Sequence, residues 1–360
     1  MNSLSTERIP MADWVKAIAI YLVVMSHTAI ARPVANWAFM VEIPLFFFMS
    51  GYLFRFDRNP SFGDFAKKRF RQIMVPYVTI NIVTYMFWLL VARHFGADSN
   101  AAVPLWQPLL GVLLADSTLM THNATMYFFT TLFNIEILFY LLFRGRKIAA
   151  RAFLTLVFVV LGGIDYYLNP AALPFSVSHT LTGIVFYSIG YETRNSRVFS
   201  TFMNNRSARA ESAKLILAGV LFVVSLLLFS VTGAVNLQRR AYSVYPLYFI
   251  ETAVAIYSIL MLFSIPSVVP RIIRQVSANT LWLCGYHLLV FTLLKGVLVY
   301  IMGVDLGKLD GALLPNVLFS LAALLFCLCA TIIIRRYWRR NRRTEEKVKP
   351  VKENDNKYEQ

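Results

Sequence analysis

The 360-residue sequence predicts an all-α polytopic membrane protein with about ten transmembrane helices and both termini in the cytoplasm, and three observations carry that expectation. Hydrophobic residues make up 58% of the chain and charged residues 15%, too little polar surface to cover a soluble globule. Apolar runs of about 20 residues, the length that crosses a hydrocarbon core of about 30 Å, recur from end to end. The basic residues are collected into short clusters between alternate runs, as membrane topology demands. The formal net charge of +16 is therefore no sign of nucleic acid.

Taken in order, spans are expected near residues 12–31, 36–56, 72–93, 124–143, 149–168, 175–193, 213–234, 243–265, 278–301 and 312–335. With the N-terminus inside, the inward loops hold clusters such as Lys67, Lys68, Arg69 and Arg71, or Arg144, Arg146 and Lys147, and also Arg206, Arg209 and Lys214. The outward loops hold only Arg32, Arg93, Arg239, Arg240 and Lys308, so the asymmetry follows the positive-inside rule. The helices form one integral-membrane domain over residues 1–340. Residues 341–360 read as a charged, disordered cytoplasmic tail behind a basic membrane-edge anchor. The outward segment 94–123, with Pro104, Trp106 and Pro108, is suited to lie in the interface as a lid, with His94 and His122 solvated. Asn123-Ala124-Thr125 fits a glycosylation acceptor but abuts a span and is read as chance.

Three cysteines, all in apolar runs and without CxxC spacing, argue for neither a disulfide framework nor a metal site. No HExxH, P-loop or GxGxxG is present, and no metal or tightly bound cofactor is expected.

The chemistry-bearing residues concentrate at the start. Lys16 and His27 lie eleven positions apart, three helical turns plus roughly 20° and about 16 Å of rise, so both face the same way. Ionisable side chains inside a span are expensive and are functional candidates by default. Pro44-Leu45-Phe46-Phe47-Phe48-Met49-Ser50-Gly51-Tyr52-Leu53 follows in the second run. Further on come Lys67-Lys68-Arg69-Phe70-Arg71 leading to Val75-Pro76-Tyr77, then Tyr127-Phe128-Phe129 with Leu132-Phe133. Ser277-Ala278-Asn279-Thr280 before Gly285-Tyr286-His287 closes the series.

Lys16 with His27, and the Pro44 to Leu53 element after them, resemble the signature of the acyltransferase 3 family of bacterial membrane O-acyltransferases. The later elements match its motif order along the whole chain. Many members carry Arg where this chain has Lys16, and Lys is common there in the fucose 4-O-acetylase-like branch. The resemblance implies acylation, most often acetylation, of a hydroxyl on a cell-envelope glycan, an exopolysaccharide or a lipid-linked sugar. It also implies a cytoplasmic acyl-CoA donor and a multi-pass location in the inner membrane, in contact with membrane lipid.

Within such a reaction His27 suits the general base that takes the hydroxyl proton. Lys16 suits a point charge on a phosphate or pantetheine end of acyl-CoA, aided by Arg69 and Arg71 on the same face. Ser50 is placed to donate to substrate beside Gly51, which permits close approach of backbone or ligand. Glu42 is placed to orient His27 or to bind the acceptor, and His287 joins the substrate-binding set through the motif around it. Glu136, His179, Glu192 and Glu251 also sit in or beside spans, with Trp37, Trp106, Tyr166, Tyr167 and Tyr242 as possible sugar-stacking rings.

Plainer readings stand beside these. Lys16 also fits a snorkelling anchor, His27 an interhelical hydrogen-bond donor and Ser50-Gly51 small-residue packing. A transporter or flippase of a glycolipid or small solute, with Lys16 and His27 lining its path, is the rival function.

Overall fold

Helices account for the whole architecture of the computed structural model, which describes residues 8–95, 99–169 and 171–348, with side chains as far as 337. Among the described residues there is no strand, only one isolated bridge between Asn236 and Ala241. The long helices are α1 (Pro10–Ser26), α2 (Arg32–Leu53), α3 (Phe62–Ala92), α4 (Ala124–Phe143) and α5 (Ile148–Leu168). They continue as α6 (Val177–Asn195), α7 (Ala208–Thr232), α8 (Tyr245–Ser264), α9 (Thr280–Ile301) and α10 (Leu313–Val348). The basic ends share one face: Arg69, near the start of α3, pairs with Glu136 of α4, Arg151, at the start of α5, pairs with Glu192 at the end of α6, and Lys16 of α1 lines one cavity with Arg69, Arg71 and Arg335.

Eight of these helices are long and apolar enough to cross a bilayer. The other two are α1, which has only 17 residues, and α6, which carries His179, Thr180, Thr182, Ser188, Glu192 and Arg194. Both can be polar because both are interior. α1 is packed by α2, α8, α9, α10 and the short helix Arg271–Ala278, and α6 lies along α2 and α5. Peripheral α5 and α7 instead expose rows of Leu, Ile, Val and Phe, the surface that lipid covers.

Local sequence sets the ends. Pro10, Pro33 and Pro246 stand in the first turns of α1, α2 and α8, where a missing N–H costs nothing. α1 stops at Ser26, five residues before the expected boundary, and His27 is its C-cap residue at φ −90° and ψ 5°. α3 begins ten residues before its expected start with the basic turn Phe62–Arg69. It then widens into a π-helical turn at Phe70–Met74 and another at Trp88–Ala92. The last helix continues through 341–348. The remainder of the expected disordered tail, 349–360, lies outside the described residues.

Two readings of individual residues need correction, those of Lys214 and His122, and the structure agrees with the reading of Asn123-Ala124-Thr125 as chance. Lys214, read as a loop charge, is fully buried and donates to the carbonyls of Met203 (2.9 Å) and Asn205 (2.8 Å), clamping the turn before α7. Replacing it with Met strands those two acceptors, and a loss of about 1–3 kcal/mol is expected in detergent melting experiments. A melting curve identical to wild type would dismiss the clamp. His122 is half-buried, not solvated, because it bonds Asn81 Oδ1 at 2.9 Å and packs edge-on to Tyr85; burial pushes its imidazole down to about 4, so it stays neutral. Asn123 is buried with its amide on the Gly285 carbonyl (2.7 Å), a position no glycosylating enzyme reaches.

Candidate active site

A cavity of about 730 Å3 opens on the basic face between α1, α2, α3, α4, α9 and α10. Lys16, Arg69, Arg71 and Arg335 line it together with one carboxylate, Glu136. Asp13, one turn before Lys16, is engaged by Arg8 and by the Ser277 hydroxyl (2.7 Å). Lys16 makes no hydrogen bond or ion pair with a described residue. Arg69 pairs with Glu136 and donates to Gln72 (2.8 Å), yet Arg69 Nε and Glu136 Oε2 are buried without partners among the described residues. Arg335 bonds Asn279 and lies 5.4 Å above the Trp282 ring. The π-helical turn of α3 brings Arg71, Gln72 and Ile73 into this wall, a distortion that recurs at functional sites. Four cations against one anion make the cavity a trap for a polyanion, and Phe46, Met49, Phe128 and Leu132 give its inner end an apolar lining.

One turn further along α2 and α9 is a space of about 10 Å3, lined by His27, Glu42, Ile43, Phe39, Tyr127, Gln238 and Cys284. It has room for about one water-sized group. His27 Nδ1 lies 2.8 Å from the Val23 carbonyl. A carbonyl only accepts, so Nδ1 carries the proton and Nε2 the lone pair. The ring is held between Phe39 (5.4 Å) and His287 (5.1 Å), both edge-on. His287 is fixed the same way, Nδ1 on the Cys284 carbonyl at 2.7 Å, and its buried Nε2 has no described partner. Two basic lone pairs therefore lie on adjoining rings.

A second large cavity, about 550 Å3, opens on the far face. Tyr166, Tyr167, Asp116, His179 and Arg239 contribute to it, and Gln238 belongs to both this cavity and the space at His27.

The residues singled out from sequence thus fall into two groups. Lys16, Ser50, Arg69 and Arg71 share the basic-face cavity. His27 and Glu42 line the narrow space beyond it, and His287 packs edge-on against the His27 ring. Gly51 joins neither: a Cβ there would strike the backbone carbonyl of Tyr187, so its close approach is to α6 and not to a ligand. Glu42 accepts from the Ser26 hydroxyl (2.7 Å) and makes no hydrogen bond or ion pair with His27 directly. Ser26, 3.2 Å from His27 Nδ1, stands between them. Of the rings offered for sugar stacking, Tyr166 and Tyr167 reach the far-face cavity, whereas Tyr242 is buried beneath Tyr166.

Sequence reasoning missed Ser26, Gln238, Trp282 and Arg335. Ser26 had the one usable signal, its adjacency to His27. Arg335 was absorbed into the basic tail, where nothing distinguishes a cavity-lining arginine from an anchor. Among the described residues no group of His, Cys, Asp and Glu is arranged to hold a metal.

A family model described as an acyltransferase domain matches residues 10–336. No curated protein sequence matches the chain.

Proposed function

The chain belongs to the acyltransferase 3 family, and from that premise we propose that this multi-pass membrane acyltransferase moves an acyl group, acetyl in the first instance, from acyl-CoA to a sugar hydroxyl of the cell envelope. The carrying observation is the position of His27, with its lone-pair nitrogen fixed by the Val23 carbonyl, between a cation-lined cavity and a hydroxyl-rich one.

In this reading the basic face is cytoplasmic, and the phosphates of acyl-CoA rest on Lys16, Arg69, Arg71 and Arg335. The acyl end extends past Phe46 and Phe128 toward His27. A sugar hydroxyl enters the narrow space and its oxygen attacks the thioester carbonyl while Nε2 of His27 takes its proton. Collapse of the tetrahedral intermediate breaks the C–S bond, and the imidazolium returns the proton to the departing thiolate. The products are the O-acyl sugar and free CoA. Ser26 and the Val23 carbonyl hold the ring in the competent tautomer throughout. The rival transport reading needs no covalent chemistry and gives way to family membership.

The test is mass spectrometry of envelope glycans from cells with the gene intact, deleted or carrying His27→Ala. An acyl mass increment present only with the intact gene supports the reading; glycans that keep their acyl groups in both altered strains defeat it. For the donor side, Lys16→Ala is expected to raise KM for acetyl-CoA by roughly 10- to 100-fold through loss of a charge-assisted contact, with Lys16→Arg retaining most affinity. An unchanged KM in Lys16→Ala would remove the phosphate role.

A further inference from the structure

The basic-face cavity and the narrow space at His27 are stacked along the same helices. On α2 the lining passes from Ile43 at the narrow space to Phe46 in the large cavity, and on α4 it passes from Tyr127 to Phe128. Phe46 and Phe128 are therefore the floor of the large cavity. Their ring centroids are 5.6 Å apart, and both rings line the cavity although they are only 6% and 2% exposed.

The floor is braced from behind. Phe47, fully buried, stacks on Phe128 with centroids 5.5 Å apart. Its own ring presses on α6 where Gly183 has no side chain, since a Cβ there would lie 2.8 Å from a Phe47 ring carbon. Phe129 stands edge-on to Phe128 at 6.0 Å. To recede, the Phe128 ring has to push Phe47 into a helix backbone, and an interior packed to crystal density resists added volume.

The space at His27, about 10 Å3, has room for about one water-sized group, and in acyl transfer the attacking hydroxyl takes that place. The acyl chain is then left on the donor side, against Phe46 and Phe128. Resting on the acyl-transfer reading above, we infer that Phe128, together with Phe46, sets the length of the acyl group: an acetyl methyl fits against the two rings, and each further methylene is driven into a ring that has nowhere to go. Phe128 is a specificity-determining residue for the donor.

The full chain in lipid nanodiscs is assayed with acetyl-, propionyl- and butyryl-CoA, with the source cells' envelope glycan stripped of esters by mild alkali as acceptor. The wild type is expected to lose about tenfold or more in kcat/KM for each added methylene. Phe128→Leu and Phe128→Ala are expected to raise the butyryl-to-acetyl ratio of kcat/KM by about tenfold or more, and Phe46→Leu to move it the same way. A ratio taken within one variant does not depend on how much of that variant folds. Phe129→Leu, fully buried beside Phe128 but outside both cavity walls, is expected to keep the wild-type ratio. A wild type that uses butyryl-CoA within about threefold of acetyl-CoA overturns the assignment, as does an unchanged ratio in both Phe128 variants or an equal shift in Phe129→Leu. No transfer from any of these donors by the unmodified protein overturns the acyl-transfer reading and this inference with it.

Discussion

In the acyl-transfer reading His27→Ala is expected to lower acyl transfer by about 10²- to 10⁴-fold, the range a general base contributes, while the protein still inserts and folds. The expectation follows from local geometry. His27 caps α1, and its proton-bearing nitrogen is committed to a backbone carbonyl 2.8 Å away. In that reading alanine removes the lone pair that receives the hydroxyl proton, and the packing it removes is the edge-on contact with Phe39 and His287. His27→Gln is the sharper variant. It keeps bulk and hydrogen-bonding capacity without a titratable nitrogen, so it is expected to be as inactive as alanine. Initial rates with labelled acetyl-CoA and de-esterified glycan are the measurement, and a glutamine variant within about tenfold of wild type would show that His27 positions substrate without moving a proton.

Gly51→Val is expected to prevent accumulation of folded protein, with a destabilisation of about 3 kcal/mol or more. A Cβ at Gly51 collides with the Tyr187 carbonyl of α6, and one at Gly190 of α6 collides with the Phe48 carbonyl of α2. The two collisions are reciprocal, so α2 and α6 meet backbone to backbone, the small-residue packing that membrane helices use when water supplies no driving force. Backbone carbonyls do not swing aside as side chains do, and the helices must part. Ser50→Val, one position away in the cavity wall, is the control that folds. Monodisperse Gly51→Val with a wild-type melting temperature would contradict the contact.

How much of this was legible in the sequence depends on whether the information is local. Spans announce themselves by length and apolarity, and Lys16 and His27 by their rarity in such spans and their eleven-residue register. Contacts between helices leave no such trace. Gly51 beside Ser50 read equally well as a ligand-facing or a packing glycine, and only the position of Tyr187 decides. Glu42 was offered to orient His27 or to bind the acceptor, but its link to His27 through the Ser26 hydroxyl could not be read from spacing. Gln238 reaches the site from a connection over two hundred residues after His27, through a turn closed by Asn236 and Ala241. The early stop of α1 has a similar origin: Ser26 and His27 satisfy the Val23 carbonyl with side chains, which releases the backbone from continuing the helix.

The smallness of the space at His27 has a consequence beyond catalysis. Two wide mouths facing each other across a bilayer would, if joined, short-circuit the ion gradients on which the cell runs. Here the mouths of about 730 and 550 Å3 are separated by a neck of about 10 Å3 walled by Phe39, Ile43 and Tyr127. Such a neck admits about one oxygen atom and no hydrated ion. In the acyl-transfer reading the membrane thus stays electrically insulating while the donor of one side and the acceptor of the other meet at His27.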